Sequence, residues 1–356
     1  MTAVAARAMT GDERMLAAAR LQPTDRTPVW FMRQAGRCLP DYRALRKQHD
    51  ILTLAKTPEL STQVTLMPVE RFGVDGAVMF ADIMLPLEAM GSPFSIEPDV
   101  GPIVHNPIRS AADVEKLRVV DGEEATPYVM ETIRLLTKEL PGKAALVGFS
   151  GAPFTLACYM IEGRPSRDYS KAKGMMFSDE RAWHALMEKV TEQVIRYLQA
   201  QVRAGIQIAQ LFDSWMGILS PADYARYSWP YSKRVFAALE GMGVPRIHFG
   251  TSNASLLERV ASAGPDIVSV DWRVSLEQAW LRIGHDKGIQ GNLDPVLLLS
   301  PWERIEEGVH DVLRRAGGRS GHIFNLGHGV LPETNPDILR RVVEVVHSVT
   351  ERQIGE

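Results

Sequence analysis

Arginine grips carboxylates better than any other side chain, because its planar guanidinium offers parallel donors to both oxygens. The stretch Pro28–Asp50, PVWFMRQAGRCLPDYRALRKQHD, holds four of them, Arg33, Arg37, Arg43 and Arg46, with Lys47 alongside. Set against Asp41 and Asp50, five positive charges leave a local excess of +3 in a chain whose formal net charge is −3. Gly36 and Pro40 interrupt regular structure on either side of Arg37, so these charges are expected on a loop that follows the apolar run Val29–Met32. A basic loop at a strand end suits capture of a polyanionic small molecule. A solvated run of charge is the other reading of the same residues.

Asp82 poses a sharper question. In AVMFADIML it is the lone charge, so it falls at the edge of a dry interior, where a carboxylate costs several kcal/mol unless paired. It is either the buried partner of an arginine, with the Arg33 loop the obvious source, or a group that meets a ligand. His328, between Gly327 and Gly329, lies where small neighbours permit close approach of a ligand. Ser150, Asp213, Ser214, Asp271, Asn292, Asp294 and Asn325 likewise follow apolar runs. Asp213 and Asp271 could instead cap a following helix, and Asp294 before Pro295 suits a turn.

What must position these residues is a repeating pattern: an apolar burst, a polar residue at its end, then a helical stretch. Eight bursts occur, Val29–Met32, Ala77–Phe80, Ala144–Phe149, Ile208–Phe212, Arg246–Phe249, Ile267–Val270, Lys287–Gln290 and His322–Leu326. They are apolar without alternation, as parallel strands buried on both faces require. Between them, Thr126-Pro127, Ser178-Asp179-Glu180, Ser300-Pro301 and Asn335-Pro336 read as helix starts, and Gly205 as a stop. A short helix is expected from Thr10, with Met15, Leu16 and Ala19 on one side. The pattern predicts a single (β/α)₈ TIM barrel over residues 10–350, a flexible N-terminus over 1–9 and a tail over 351–356. An insertion, Leu85–Lys143, separates strands two and three, and its turn-rich part Gly91–Pro107 could form a hairpin over one barrel end. A doubly wound sheet is the alternative, but no Gly-x-Gly-x-x-Gly or phosphate-binding loop follows the first burst. In a barrel the chemistry lies at the carboxyl ends of the strands, where the residues above fall.

Composition narrows the classes. The chain has 356 residues, 45% hydrophobic and 23% charged, an ordinary globular balance. A near-neutral charge argues against nucleic acid as the main partner. No apolar run is long enough for a membrane span, and the start lacks a signal-peptide pattern. Cys38 and Cys158 are too few for a disulfide framework or a four-thiolate metal site. The expectation is a soluble cytoplasmic protein.

Taken together, PVWFMRQAGRCLPDYR, FADIM, GFSGAPFTLACYMIEG, QLFDSW, GNLDP and NLGHGV, in that order, make the chain resemble the uroporphyrinogen decarboxylases of haem biosynthesis. The similarity runs from about Asp12 to the last helix. It implies a barrel, a homodimer and no cofactor, and the missing cysteine ligands lead to the expectation of no metal. It also implies a cyclic tetrapyrrole substrate, uroporphyrinogen, whose four acetate arms become methyls to give coproporphyrinogen and four carbon dioxides. On this resemblance Arg33 and Arg37 bind carboxylates and take part in catalysis, with Arg46 a third near the cleft. Asp82 is the catalytic carboxylate facing the pyrrole N–H groups, while Tyr159, Ser214 and His328 supply the other polar contacts. Two positions depart from the family pattern: Cys38, where an aromatic residue is common, and Ala81, where serine is.

The reaction needs an acceptor for the electrons left when carbon dioxide departs, and a protonated pyrrole can supply it. Arginine is a poor acid, so Tyr159, His328 or an ordered water are easier proton donors, and the sequence does not choose among them. Two rivals remain. Zinc-dependent methyl transfer from a corrinoid, in the same superfamily, uses His-x-Cys near strand five and a later Cys. Here strand five reads Ile247-His248-Phe249-Gly250, and residues 322 to 335 contain no cysteine. The other rival is a non-catalytic tetrapyrrole carrier using the same cleft.

Overall fold

The computed structural model describes residues 8–97 and 100–352. In chain order its strands are β1 (Gly76–Val78), β2 (Phe94–Glu97), β3 (Gly101–Val104), β4 (Ala145–Gly151), β5 (Ile208–Asp213), β6 (Arg246–Gly250), β7 (Ile267–Ser269), β8 (Gly288–Leu293) and β9 (His322–Leu326). β1 and β4 to β9 form one wholly parallel, seven-stranded sheet in sequential order. Every residue of β4, β8 and β9 is buried, which is why those segments read as unbroken apolar bursts. Helices return the chain from each strand to the next. The longest, Glu180–Ala204, is capped by Asp179, which accepts the Ala182 N–H, and stopped by left-handed Gly205.

The first predicted strand is not one. Val29 makes a single parallel bridge to Phe324. Phe324 N–H donates to Pro28 O at 2.9 Å, Trp30 N–H to Phe324 O at 3.3 Å, and on the other side Asp75 N–H to Val29 O at 2.8 Å. Side chains then replace the ladder: Asp75 Oδ2 accepts the Val29 N–H and Asn325 Oδ1 the Met32 N–H, at 2.8 and 3.1 Å. Arg33 follows with φ 59°, a left-handed turn that ends any extended run. The Trp30 ring occupies the interior above Gly76, where an added Cβ would lie 3.0 Å from it. Its Nε1–H donates to Gln290 Oε1, and Gln290 donates to Ser269 Oγ and Gln210 Oε1, a buried polar chain that leaves the Gln210 Nε2 without a partner among the described residues.

Other expectations shift by smaller amounts. β1 stops at Val78, short of Phe80, because Thr65 and Ser61 on the helix Pro58–Phe72 take the Phe80 N–H (2.9 Å) and C=O (2.6 Å). Thr126 does not cap its helix through its side chain; its hydroxyl donates back to Gly122 O. The helix after Ser300-Pro301 runs Trp302–Ala316, with Pro301 as its cap residue. Between β1 and β4 the antiparallel pair β2–β3 forms the expected hairpin, followed by helices including Pro127–Glu139.

At the amino ends of the strands Arg14, only 2% exposed, bridges two carboxylates. It binds Asp25 through Nε (2.6 Å) and Nη2 (2.9 Å), and Asp75 through Nη1. His347 Nε2 meets Asp75 Oδ2 at 2.8 Å, while Met9 N–H and Arg352 N–H both donate to Asp25. Met9, expected in a flexible N-terminus, and Arg352, expected in the tail, are therefore tied down; residues 1–7 and 353–356 lie outside the described residues. Arg14 was not expected inside. No helix among the described residues is long and apolar enough to cross a membrane.

Candidate active site

A cleft of about 500 Å³ opens at the carboxyl ends of the strands. It is lined by six of the seven expected site residues, Arg33, Arg37, Asp82, Tyr159, Ser214 and His328. Successive strand ends supply an aromatic arc. Phe149 meets Phe212 edge-on at 5.4 Å, Phe212 meets Phe249 at 5.5 Å, and Phe249 meets the His328 ring at 6.1 Å. These phenylalanines read as core in the sequence, because a strand-end aromatic facing a cleft carries no distinguishing mark. The β2–β3 hairpin covers the mouth with Ile96, Gly101 and Pro102.

Asp82 lies in the turn after β1, held from behind by the two bonds to Phe80. Its Oδ1 accepts the Met84 N–H at 2.8 Å. Burial pushes its carboxyl pKa up, opposed by that hydrogen bond and by the charge of Arg33. Among the described residues no cation forms an ion pair with it. Arg33 and Arg37 are exposed and equally without a carboxylate partner among the described residues. The Arg33 stem crosses Gly329, where a Cβ would fall 2.4 Å from Arg33 Cδ.

His328 Nδ1 accepts the Gly329 N–H at 2.7 Å, leaving Nε2–H as a donor. Burial, reinforced by the charge of Arg33, pushes its pKa down to about 4. The ring is neutral at pH 7. Tyr159, one turn beyond Thr155 on the helix Pro153–Glu162, packs at a tilt against Trp215 with centroids 4.0 Å apart. Burial, with Asp82 nearby, drives its phenol pKa well upward. Thr155 lines the cleft too. Its hydroxyl donates to the fully buried Asp213 at 2.8 Å, and the Trp215 N–H approaches its oxygen at 3.4 Å. Asp213 thus braces the wall from which Tyr159, Ser214 and Trp215 project.

Residues 10–349 match the family described as uroporphyrinogen decarboxylase (URO-D). The chain belongs to that family. A uroporphyrinogen decarboxylase of Sorangium cellulosum is 52% identical over 337 residues, covering 95% of this chain and 96% of the relative. One from Thermus thermophilus is 49% identical, covering 95% and 98%. Among solved structures, a methyltransferase from Methanosarcina mazei aligns with TM-score 0.80 at 20% identity, covering 95% of this chain and 98% of that one. That likeness concerns the fold alone.

Within the uroporphyrinogen decarboxylase frame, two of the four arginines in the opening stretch are occupied elsewhere. Pro40 begins a helix, Pro40–Arg46, instead of breaking one, so Arg43 and Arg46 are not on a loop. Arg43 Nη1 donates to the carbonyls of Arg37 and Cys38 and so shapes the loop backbone. Arg46 is absent from the cleft lining; it donates to His49 O at 2.6 Å, and its charge acts on Tyr42, which does line the cleft. Cys38 is buried, and desolvation pushes its thiol up to about 11, which makes it a poor nucleophile. Asp271 caps no helix; it accepts the Ser252 N–H and pairs with Arg273. Asp294 does cap the short turn Pro295–Leu299. No three His, Cys, Asp or Glu side chains are grouped as a metal would need among the described residues.

Proposed function

We propose that this chain is a carboxy-lyase that converts the four acetate arms of uroporphyrinogen to methyls without a cofactor, yielding coproporphyrinogen and four carbon dioxides. The observation that carries the reading is Asp82: a carboxylate in a partly dry cleft with an aromatic arc and two guanidinia, none of the three charges in an ion pair among the described residues. A pyrrole ring can lie along Phe149, Phe212 and Phe249 with its N–H groups toward Asp82, while Arg33 and Arg37 hold carboxylate arms by bidentate bonds.

The chemistry then balances within the substrate. A proton adds to the pyrrole carbon beside the acetate-bearing carbon, and the ring becomes cationic. The bond to the carboxylate breaks, carbon dioxide leaves, and its electron pair neutralises the ring as an exocyclic double bond. A proton on the exocyclic carbon makes the methyl, and loss of the first proton restores the pyrrole, so each turn consumes one proton. Asp82 stabilises the cationic ring, and the pyrrole N–H donors offset the desolvation that raises its pKa. With His328 neutral and Tyr159 a reluctant acid, water reaching the cleft mouth is the proton source this arrangement favours.

This reading also takes the Pro28–Trp30 segment as the eighth stave of a closed barrel spanning residues 10–350, and the protein as a cytoplasmic homodimer. The deciding experiment is anaerobic incubation with uroporphyrinogen, with and without a chelator. Four carbon dioxides per macrocycle, unaffected by chelation, are expected. Binding without release would make the protein a carrier, and activity lost to the chelator and restored by zinc would restore the metal-dependent alternative.

A further inference from the structure

The proposed substrate carries eight carboxylates, and among the described residues the cleft offers two guanidinia without an ion pair against one carboxylate. Two planar forks engage two arms as bidentate pairs, and the neutral donors of Tyr159, Ser214 and His328 serve few more. Most of the negative charge must therefore meet the protein at the rim or remain in water. The sequence holds a second basic stretch, Gly163–Lys173, GRPSRDYSKAK, with Arg164, Arg167, Lys171 and Lys173 against Asp168.

The structure fixes this stretch to the cleft. Gly163 O accepts the Val104 N–H of the hairpin at 2.8 Å. Pro165 packs over Gly101, where a Cβ would lie 3.5 Å from its ring, and Gly101 is itself a lining residue. At the far end Tyr169 packs at a tilt against Trp215, centroids 4.6 Å apart, and Trp215 is the residue on which Tyr159 rests. Glu162 Oε1 then holds the N–H groups of Lys171 and Ala172, both at 3.0 Å. Lys173 is occupied by Ile218 O. Arg164 and Arg167, between these anchors, are exposed and have no ion pair or side-chain hydrogen bond among the described residues. On the outer helices, by contrast, Arg226, Arg234, Arg282 and Arg315 each close onto a carboxylate.

We propose that Arg164 and Arg167 form a second carboxylate-binding station on the cleft rim, which receives the arms of the macrocycle that project from the floor. The inference rests on the decarboxylase reading and adds to it a site outside the reacting centre. Exposed guanidinia act through a screened field, so the station contributes to capture and orientation and not to the chemical step. Its signature is a KM effect that depends on salt.

The test is the double variant Arg164→Ala/Arg167→Ala, assayed with uroporphyrinogen across ionic strength beside the wild type. KM is expected to rise about tenfold at low salt with kcat within about twofold, and the gap to close as salt screens the charges. Arg164→Lys/Arg167→Lys, which keeps the charge, should lose much less. Arg181→Ala, an exposed arginine on the helix Glu180–Ala204, serves as a control expected to change neither constant. An unchanged KM in the double alanine variant, or an increase indifferent to salt, overturns the proposal. If the wild type releases no carbon dioxide, it is the decarboxylase reading that falls. The rim is then judged by equilibrium binding of uroporphyrin, where equal affinity for wild type and double variant overturns it.

Discussion

Asp82 is held by a single backbone N–H and forms no ion pair among the described residues, Arg33 acting on it only at longer range, so neutralising it removes a charge from the cleft without leaving a paired cation stranded. Asp82→Asn should cut turnover by at least about a hundredfold, the scale on which a preorganised charge acts, and keep the melting temperature within a few degrees. Had it been the buried partner of Arg33, the same change would cost about 3–5 kcal/mol of stability. Asp82→Glu should retain a fraction of turnover. Kinetics and melting on both variants decide; an Asn variant that turns over normally would make Asp82 scaffold. This residue was legible in the sequence because a lone carboxylate in an apolar run demands an explanation. Thr155 and Asp213 were less so: a hydroxyl on a helix and an acid after a strand each have several ordinary uses, and only folding joins them.

Elements place these residues through contacts between segments far apart in the chain. The helix Pro58–Phe72 sets Asp82 by gripping Phe80, and the loop after β9 sets Arg33 by presenting Gly329 beneath its stem. Gly329→Ala should therefore displace Arg33 and lower turnover by up to about a hundredfold, the cost of misplacing a positioning group by an ångström. Its melting temperature should stay near that of wild type, since the stem lies toward the open cleft. Normal kinetics in that variant would show that Arg33 has room to adjust. The strand bursts were readable because burial on both faces leaves a run without alternation. The exception is instructive: Val29–Met32 has the composition of a strand, yet Asp75 and Asn325 supply side-chain acceptors where a ladder would need backbone. Such substitutions are invisible until the partner segment is in place. Arg43 and Arg46 were misjudged for a related reason: proline starts a helix as readily as it ends one.

For the whole molecule, two histidines give stability a dependence on pH. His322 and His328 both have pKa values pushed down to about 4, chiefly by burial, against an unfolded value near 6.5. Between these values the unfolded chain binds more protons, so stability is greatest above about pH 6.5 and falls as pH drops toward 4. For fully buried His322 the effect amounts to about 3 kcal/mol. Urea unfolding at pH 7.5, 6.5, 5.5 and 4.5 should show this decline, and His322→Gln should flatten it. A flat profile in wild type would mean that the ring is solvated on folding. Arg14 lowers the Asp25 pKa despite burial, so that bond persists above the usual carboxylate range and is lost only at stronger acid.

The bridge between Val29 and Phe324 joins residues nearly three hundred positions apart. On a ribosome, Trp30 would emerge long before the strand that covers it, and at roughly 5–20 residues per second the wait lasts some tens of seconds. Throughout that interval the nascent chain exposes an unpaired backbone edge and a large apolar ring. The vulnerable species of this protein is thus the almost finished polypeptide: a chain stalled before β9 would be more prone to aggregate than the completed one, and a stronger client for chaperones.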